Sequence, residues 1–137
     1  TLSLHDALPI SDIDLDTLEV VPNLLLSTQV SMRIPLRWTA MLYGRINADI
    51  AATSGIYTEE DVIKMLLAGA KVTQLLSCLL RHGISHTKDI LAKLQYWMDV
   101  KEYESVEQMR GSMSYIHSSD SSQYERANYM KVLNSYQ

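Results

Sequence analysis

Apolar and polar positions alternate at the start of residues 13–21, IDLDTLEVV, which predicts a short, half-exposed strand or the arm of a hairpin. Pro22-Asn23 interrupts the pattern, and LLLS follows as a brief apolar run. In IPLRWTAMLYGRI (34–46), Ile34, Trp38, Met41, Leu42 and Ile46 recur at helical spacing. Pro35 falls in the first turn, where its missing N–H costs nothing, and Gly44-Arg45 lies near the helix end. ADIAAT (48–53) is too short for a helix and predicts a buried strand of small residues. After the turn SGIY, Thr58 is placed to cap a helix whose first turn holds Glu59, Glu60 and Asp61, acidic groups that suit its positive end. Asp61 takes the reciprocal position of a capping box, where Glu or Gln is more usual. The helix should run to Ala68 and end at Gly69, with KVTQLL (71–76) as the next strand. Strand, crossover helix and strand within about 30 residues make a βαβ unit, whose strands run parallel.

Downstream, Ile90, Leu91, Leu94, Trp97 and Met98 mark one face of a longer helix that starts near Thr87. SVEQMRG (105–111) opens on a Ser-x-x-Gln box and closes on Gly, a short capped helix. SSDSS reads as a polar linker and QYERANYMKVLNSY as a final helix, while residues 1–12 show no clear period. A parallel strand buried on both faces needs neighbours and helices on each side, and a (β/α)8 barrel takes about 200–250 residues. The two convincing parallel strands therefore predict part of a larger sheet, with strand edges left uncovered.

Composition narrows the class. The 137 residues are 47% apolar and 20% charged, the balance of a folded chain the length of one domain. The net charge is -4 and the basic residues are scattered, so nucleic acid is not an expected partner. One Cys excludes an internal disulfide framework and fits a reducing compartment. No run approaches the roughly 18 apolar residues of a membrane span, and no basic-then-apolar leader opens the chain. A cytoplasmic globular α/β protein with no membrane association is the expectation.

The chemistry concentrates in two turns, Thr53-Ser54-Gly55 and Leu76-Ser77-Cys78, one after each strand of the βαβ unit and so on one face of the sheet. Gly55 permits a close backbone approach, and free amides together with a helix N-terminus hold a phosphate without Lys or Arg. The competing reading is a pair of tight turns with ordinary caps, since neither GxGxxG nor GxxxxGK[ST] is present.

AATSGIYTEEDVIKMLLAGAKVTQLLSCLLRHG resembles the C-terminal part of the FMN-dependent dihydroorotate dehydrogenase family, including a bacterial dihydroorotate dehydrogenase-like group. The family pattern is Gly-Gly-Ile/Val, a helix, Ala-Gly-Ala, a strand and a Thr/Ser-led turn. DIDLDTLEVVPNLLLS, RIPLRW, YGRI, YESVEQMRGSMS and ERANYMKVLNSYQ extend the resemblance over nearly all of residues 13–137. It implies an α/β fold, the C-terminal part of a (β/α)8 TIM barrel that is incomplete in this chain, with extra C-terminal helices. The implied organisation is a barrel portion over 13–117, then a linker and helix over 118–137. The implied cofactor is FMN, its phosphate held at Ser54, Gly55, Leu76 and Ser77. Ser54 departs from the family's usual Gly: its Cβ crowds the phosphate while its hydroxyl offers a donor. TLSLHDALPI resembles a translated adapter string of the kind found at the ends of broken reading frames, so residues 1–12 are expected to be a non-native lead-in.

The expected activity of the parent protein is oxidation of a CH–CH bond in dihydroorotate or a related dihydropyrimidine, with hydride passing to FMN, as in pyrimidine biosynthesis. The resemblance places the catalytic base and a flavin-side Lys in earlier parts of the barrel, so no catalytic residue is assigned here and the chain alone is expected to be inactive. The alternatives are another FMN barrel, such as a dihydropyrimidine-dehydrogenase-like enzyme, or a non-catalytic α/β module. The partner is a small-molecule substrate, with a homodimer left open. Cys78, in an apolar run, reads as a packing residue. His82 and His86, four apart but separated by Gly83, read as loop and surface residues rather than metal ligands. Asp12, Asp14 and Asp16 read as one solvated strand face, and Glu59, Glu60 and Asp61 as helix-dipole partners. Tyr96, Trp97, Tyr103 and the later tyrosines are expected to pack the C-terminal helices.

Overall fold

The computed structural model describes residues 11–125 and 133–135. Residues 1–10 of the expected lead-in 1–12 and most of the final predicted helix lie outside the described residues.

The alternating segment forms a whole hairpin rather than a single strand. β1 (Ser11–Asp14) pairs antiparallel with β2 (Glu19–Pro22), with Ser11 opposite Pro22 and Asp14 opposite Glu19. The reversal is built by Asp14, whose Oδ1 accepts the amides of Asp16 and Thr17 at 2.8 and 3.2 Å. Asp16 therefore sits in the turn, so the three aspartates do not share one strand face. An Asx-type bond of this kind lets Asp favour a turn over a continuing strand.

A 3-10 turn (Gln29–Met32) leads into α1 (Arg33–Leu42). The helix stops four residues before the expected end, because Tyr43 leaves helical geometry at φ -55° and ψ 127°. Its ring then inserts between Gly69 and Gly111, where a Cβ on either glycine would collide with it. The buried side of α1 is also not the predicted stripe. Thr39 and Ala40 are buried, whereas Ile34 and Trp38 are 71% and 46% exposed.

β3 (Ala51–Ala52), α2 (Glu59–Ala68) and β4 (Val72–Thr73) make the βαβ unit, with Ala51 opposite Val72 and Ala52 opposite Thr73 in parallel. The strands are shorter than expected and are not buried on both faces, since Val72 is 52% exposed. Among the described residues no further strand flanks this pair, so hydrogen bonding and cover are confined to one side. Asp61 behaves as the capping-box residue: its carboxylate accepts the Thr58 amide at 3.0 Å, while the Thr58 hydroxyl accepts the Asp61 amide at 3.4 Å. Gly69 closes α2 with φ 120°.

α3 (Ser77–His82), α4 (His86–Val100) and α5 (Val106–Met109) complete the main body. α4 presents Ile90, Leu94 and Met98 to α2, while Leu91 is exposed. Met65, Met109 and Cys78 are fully buried between these elements. Ser105 caps α5 by accepting the Gln108 amide, but the Gln108 side chain reaches the amide of Glu104 rather than closing on Ser105. Trp97 stacks on Tyr103 with centroids 5.7 Å apart, as expected, whereas Tyr96 is 71% exposed. The serine-rich stretch is ordered as a 3-10 turn (Ser121–Tyr124) capped by Asp120. It is held to α1 by Arg37 Nε donating to the Tyr124 carbonyl at 2.7 Å. The α/β class and the βαβ unit are thus observed. No helix among the described residues is long and apolar enough to cross a membrane.

Candidate functional site

The two predicted turns lie side by side because β3 and β4 are paired in parallel register. Ser54 adopts φ 81° and Gly55 φ 70°, so the chain after β3 passes through two left-handed positions. At Ser54 this conformation costs a non-glycine residue on the order of 1–3 kcal/mol. At Gly55 a side chain is excluded for a second reason: a Cβ would strike the Thr28 carbonyl and lie 2.6 Å from the Met32 amide nitrogen. The glycine is therefore needed for packing of the chain on itself, whatever else binds there.

The segment that Gly55 approaches was not singled out from the sequence, and it is the centre of the arrangement. Ser27 Oγ accepts the Gly55 amide at 3.2 Å and lies 2.9 Å from Ser77 Oγ. One oxygen thus ties the turn after β3 to the turn after β4. The Ser27 carbonyl accepts the Tyr57 hydroxyl at 2.5 Å, which fixes the main chain at this point. Leu76 is the residue preceding α3 and is 58% exposed, whereas Ser77 is buried. The only signal for Ser27 in the sequence is that a hydroxyl follows an apolar run, a pattern too common to be selective.

Beneath the turns, Asp61 is 4% exposed and its Oδ2 accepts the Gln29 side-chain amide and the Tyr57 and Thr58 amides, each at 3.0 Å. Burial raises the carboxyl pKa, but the bonds from Gln29, Tyr57 and Thr58 outweigh it, so Asp61 titrates below its ordinary value of 3.8. Cys78 donates to the Tyr57 carbonyl at 3.3 Å, and burial, with the Asp61 charge second, pushes its pKa up. It is the packing residue expected, with a thiol rather than a thiolate. His86 Nε2 also reaches the Tyr57 carbonyl at 3.2 Å, and its ring lies 5.0 Å from that of His82. Among the described residues no cluster of three potential ligands is assembled for a metal.

The donors at this point suit an anion in kind. They comprise a glycine amide and the serine hydroxyls at 27 and 77, with the Ser54 hydroxyl on the adjoining residue. The Gly55 amide and the Ser77 hydroxyl are already bonded to Ser27. A parallel βαβ unit whose two βα turns meet at one point defines an α/β protein with a candidate oxyanion-binding end.

Known proteins resemble the chain over about half its length. The chain is 36% identical over 76 residues to the probable dihydroorotate dehydrogenase A (fumarate) of Streptococcus pneumoniae, covering 54% of this chain and 24% of that protein. It is 36% identical over 74 residues to the dihydroorotate dehydrogenase (fumarate) of Lachancea kluyveri, covering 53% and 24%. The catalytic subunit of dihydroorotate dehydrogenase B (NAD(+)) from Thermoplasma acidophilum is 32% identical over 63 residues, covering 46% and 21%. Over about half its length the chain is a relative of the dihydroorotate dehydrogenases, which are oxidoreductases by name. It spans about a quarter of the length of the curated relatives it matches. No family model matches it.

Proposed function

We propose that this chain supplies the phosphate-binding end of an FMN-dependent dihydroorotate dehydrogenase-type oxidoreductase. The observation that carries the reading is the meeting of Gly55 and Ser77, from turns after two parallel strands, at a single oxygen atom. An anion oxygen is held in the same way, by an amide and a hydroxyl approaching from different loops. In this reading Ser54, Gly55, Leu76 and Ser77 form the cradle, Ser27 adjoins it, and Asp61 fixes the start of α2 behind it. FMN held there would supply the hydride acceptor for oxidation of a CH–CH bond in a dihydropyrimidine. In this reading the residues of this chain position the phosphate.

The same reading makes β3 and β4 part of a (β/α)8 barrel. An open apolar groove of about 400 Å³, lined by Ile34, Trp38, Leu42, Ile50 and Ala52 among others, runs beside β3 and supports it. A larger sheet would bury Ile34 and Trp38, which are 71% and 46% exposed beside the two-stranded pair. In this reading the substrate is a small molecule, and the base for its oxidation comes from other parts of the barrel.

Titration of the full chain with FMN, followed by flavin fluorescence, tests the cradle, with riboflavin as the ligand that lacks the phosphate. Saturable FMN binding that riboflavin does not reproduce is expected. Equal affinity for the two flavins, or none for either, overturns the assignment.

A further inference from the structure

We infer that the Ser27 hydroxyl is a place-holder for a phosphate oxygen, and that an incoming phosphate exchanges with it. The inference rests on the phosphate reading of the two turns. Ser27 Oγ stands where the turns converge, 3.2 Å from the Gly55 nitrogen and 2.9 Å from Ser77 Oγ. The Gly55 amide has one hydrogen and cannot donate fully to Ser27 and to a ligand at once. A phosphate oxygen wins that competition, because a hydrogen bond to an ionised acceptor is about twice as strong as a neutral one.

The geometry also says how the exchange proceeds. The Ser27 main chain is held by the Tyr57 hydroxyl on its carbonyl, and the next residue lies against Gly55. The backbone therefore stays, and the side chain rotates from one staggered χ1 well to another. Ser27 is half-buried, on a stretch between β2 and the 3-10 turn that has no regular hydrogen bonding, so the rotation breaks only the bonds to Gly55 and Ser77. Ser27 thereby keeps the two turns together at the spacing an anion needs, and it weakens binding by the strength of the bonds given up.

The test is a titration of the isotopically labelled full chain with inorganic phosphate, reading the Gly55 amide in 1H–15N spectra. Wild type should show a saturable shift of that resonance. Ser27→Ala should bind phosphate roughly 2- to 10-fold more tightly, the fold-change equivalent of one net hydrogen bond. Ser27→Gly, which also lacks the hydroxyl, should tighten binding too and serves if the alanine variant does not fold. Weaker or unchanged binding by these variants, with wild type still binding, overturns the place-holder role and leaves the cradle intact. A Gly55 resonance that moves in neither wild type nor variant overturns both.

Discussion

The two faces of this chain use the same kinds of side chain to opposite effect. Between α2 and α4, Met65, Ile63, Ile90, Leu94, Met98 and Met109 are buried, and Tyr43 is locked between Gly69 and Gly111. On the hairpin and the outer side of α1, Ile13, Leu15, Leu18, Val20 and Ile34 are between 61% and 80% exposed. Both sets are apolar, yet only the first has a second layer to pack against. Stability should therefore reside almost wholly in the α2–α4 side, and each substitution below either sharpens or breaks that contrast.

The largest effect is expected at the core. Met65→Ala removes a fully buried side chain and should cost about 2–5 kcal/mol in chemical denaturation. Gly111→Ala drives a Cβ into the Tyr43 ring at φ 74° and should cost roughly 3 kcal/mol by the same measurement. Asp61→Asn should cost about 1–3 kcal/mol, because the carboxylate accepts three bonds under α2.

The lowered pKa of Asp61 gives that substitution a pH signature. Its contribution to stability is fully present above the ordinary carboxylate value of 3.8 and is lost as pH falls through the lower folded value. The acid limb of wild-type stability should flatten in Asp61→Asn, and an unchanged limb counts against the role. The smallest effects belong to the other face: Leu15→Ser should shift stability by no more than about 0.5 kcal/mol. A loss at Leu15 as large as that at Met65 would break the comparison, since the hairpin would then be covered in solution.

Local structure was largely legible in the sequence. Thr58, Asp61, Gly69 and Ser105 announced their helix ends because capping bonds reach no further than three or four residues. The parallel pairing of 48–53 with 71–76 was likewise readable, although only two residues of each segment form the ladder. Two expectations failed for reasons that are not local, and a third for a local reason that the alternation hid. α1 ended early because Tyr43 has a berth between glycines that lie 26 and 68 residues further along the chain. Its apolar stripe faces a groove rather than the core, since periodicity gives a helix face but not what lies opposite it. The three aspartates were divided by a turn that Asp14 itself makes.

At the candidate site, spacing named the turns Thr53-Ser54-Gly55 and Leu76-Ser77-Cys78, and the family resemblance narrowed them to Ser54, Gly55, Leu76 and Ser77, but neither named Ser27. Spacing along the chain determines which residues share a helix face, a cap or the end of a strand, because those relations depend on bonds of fixed length and period. It carries no information about which loop closes over which turn. That Ser27 holds Gly55 and Ser77 together, 28 and 50 residues away, was decided only when tertiary packing set the Tyr57 hydroxyl on the Ser27 carbonyl and laid Gly55 against Thr28 and Met32.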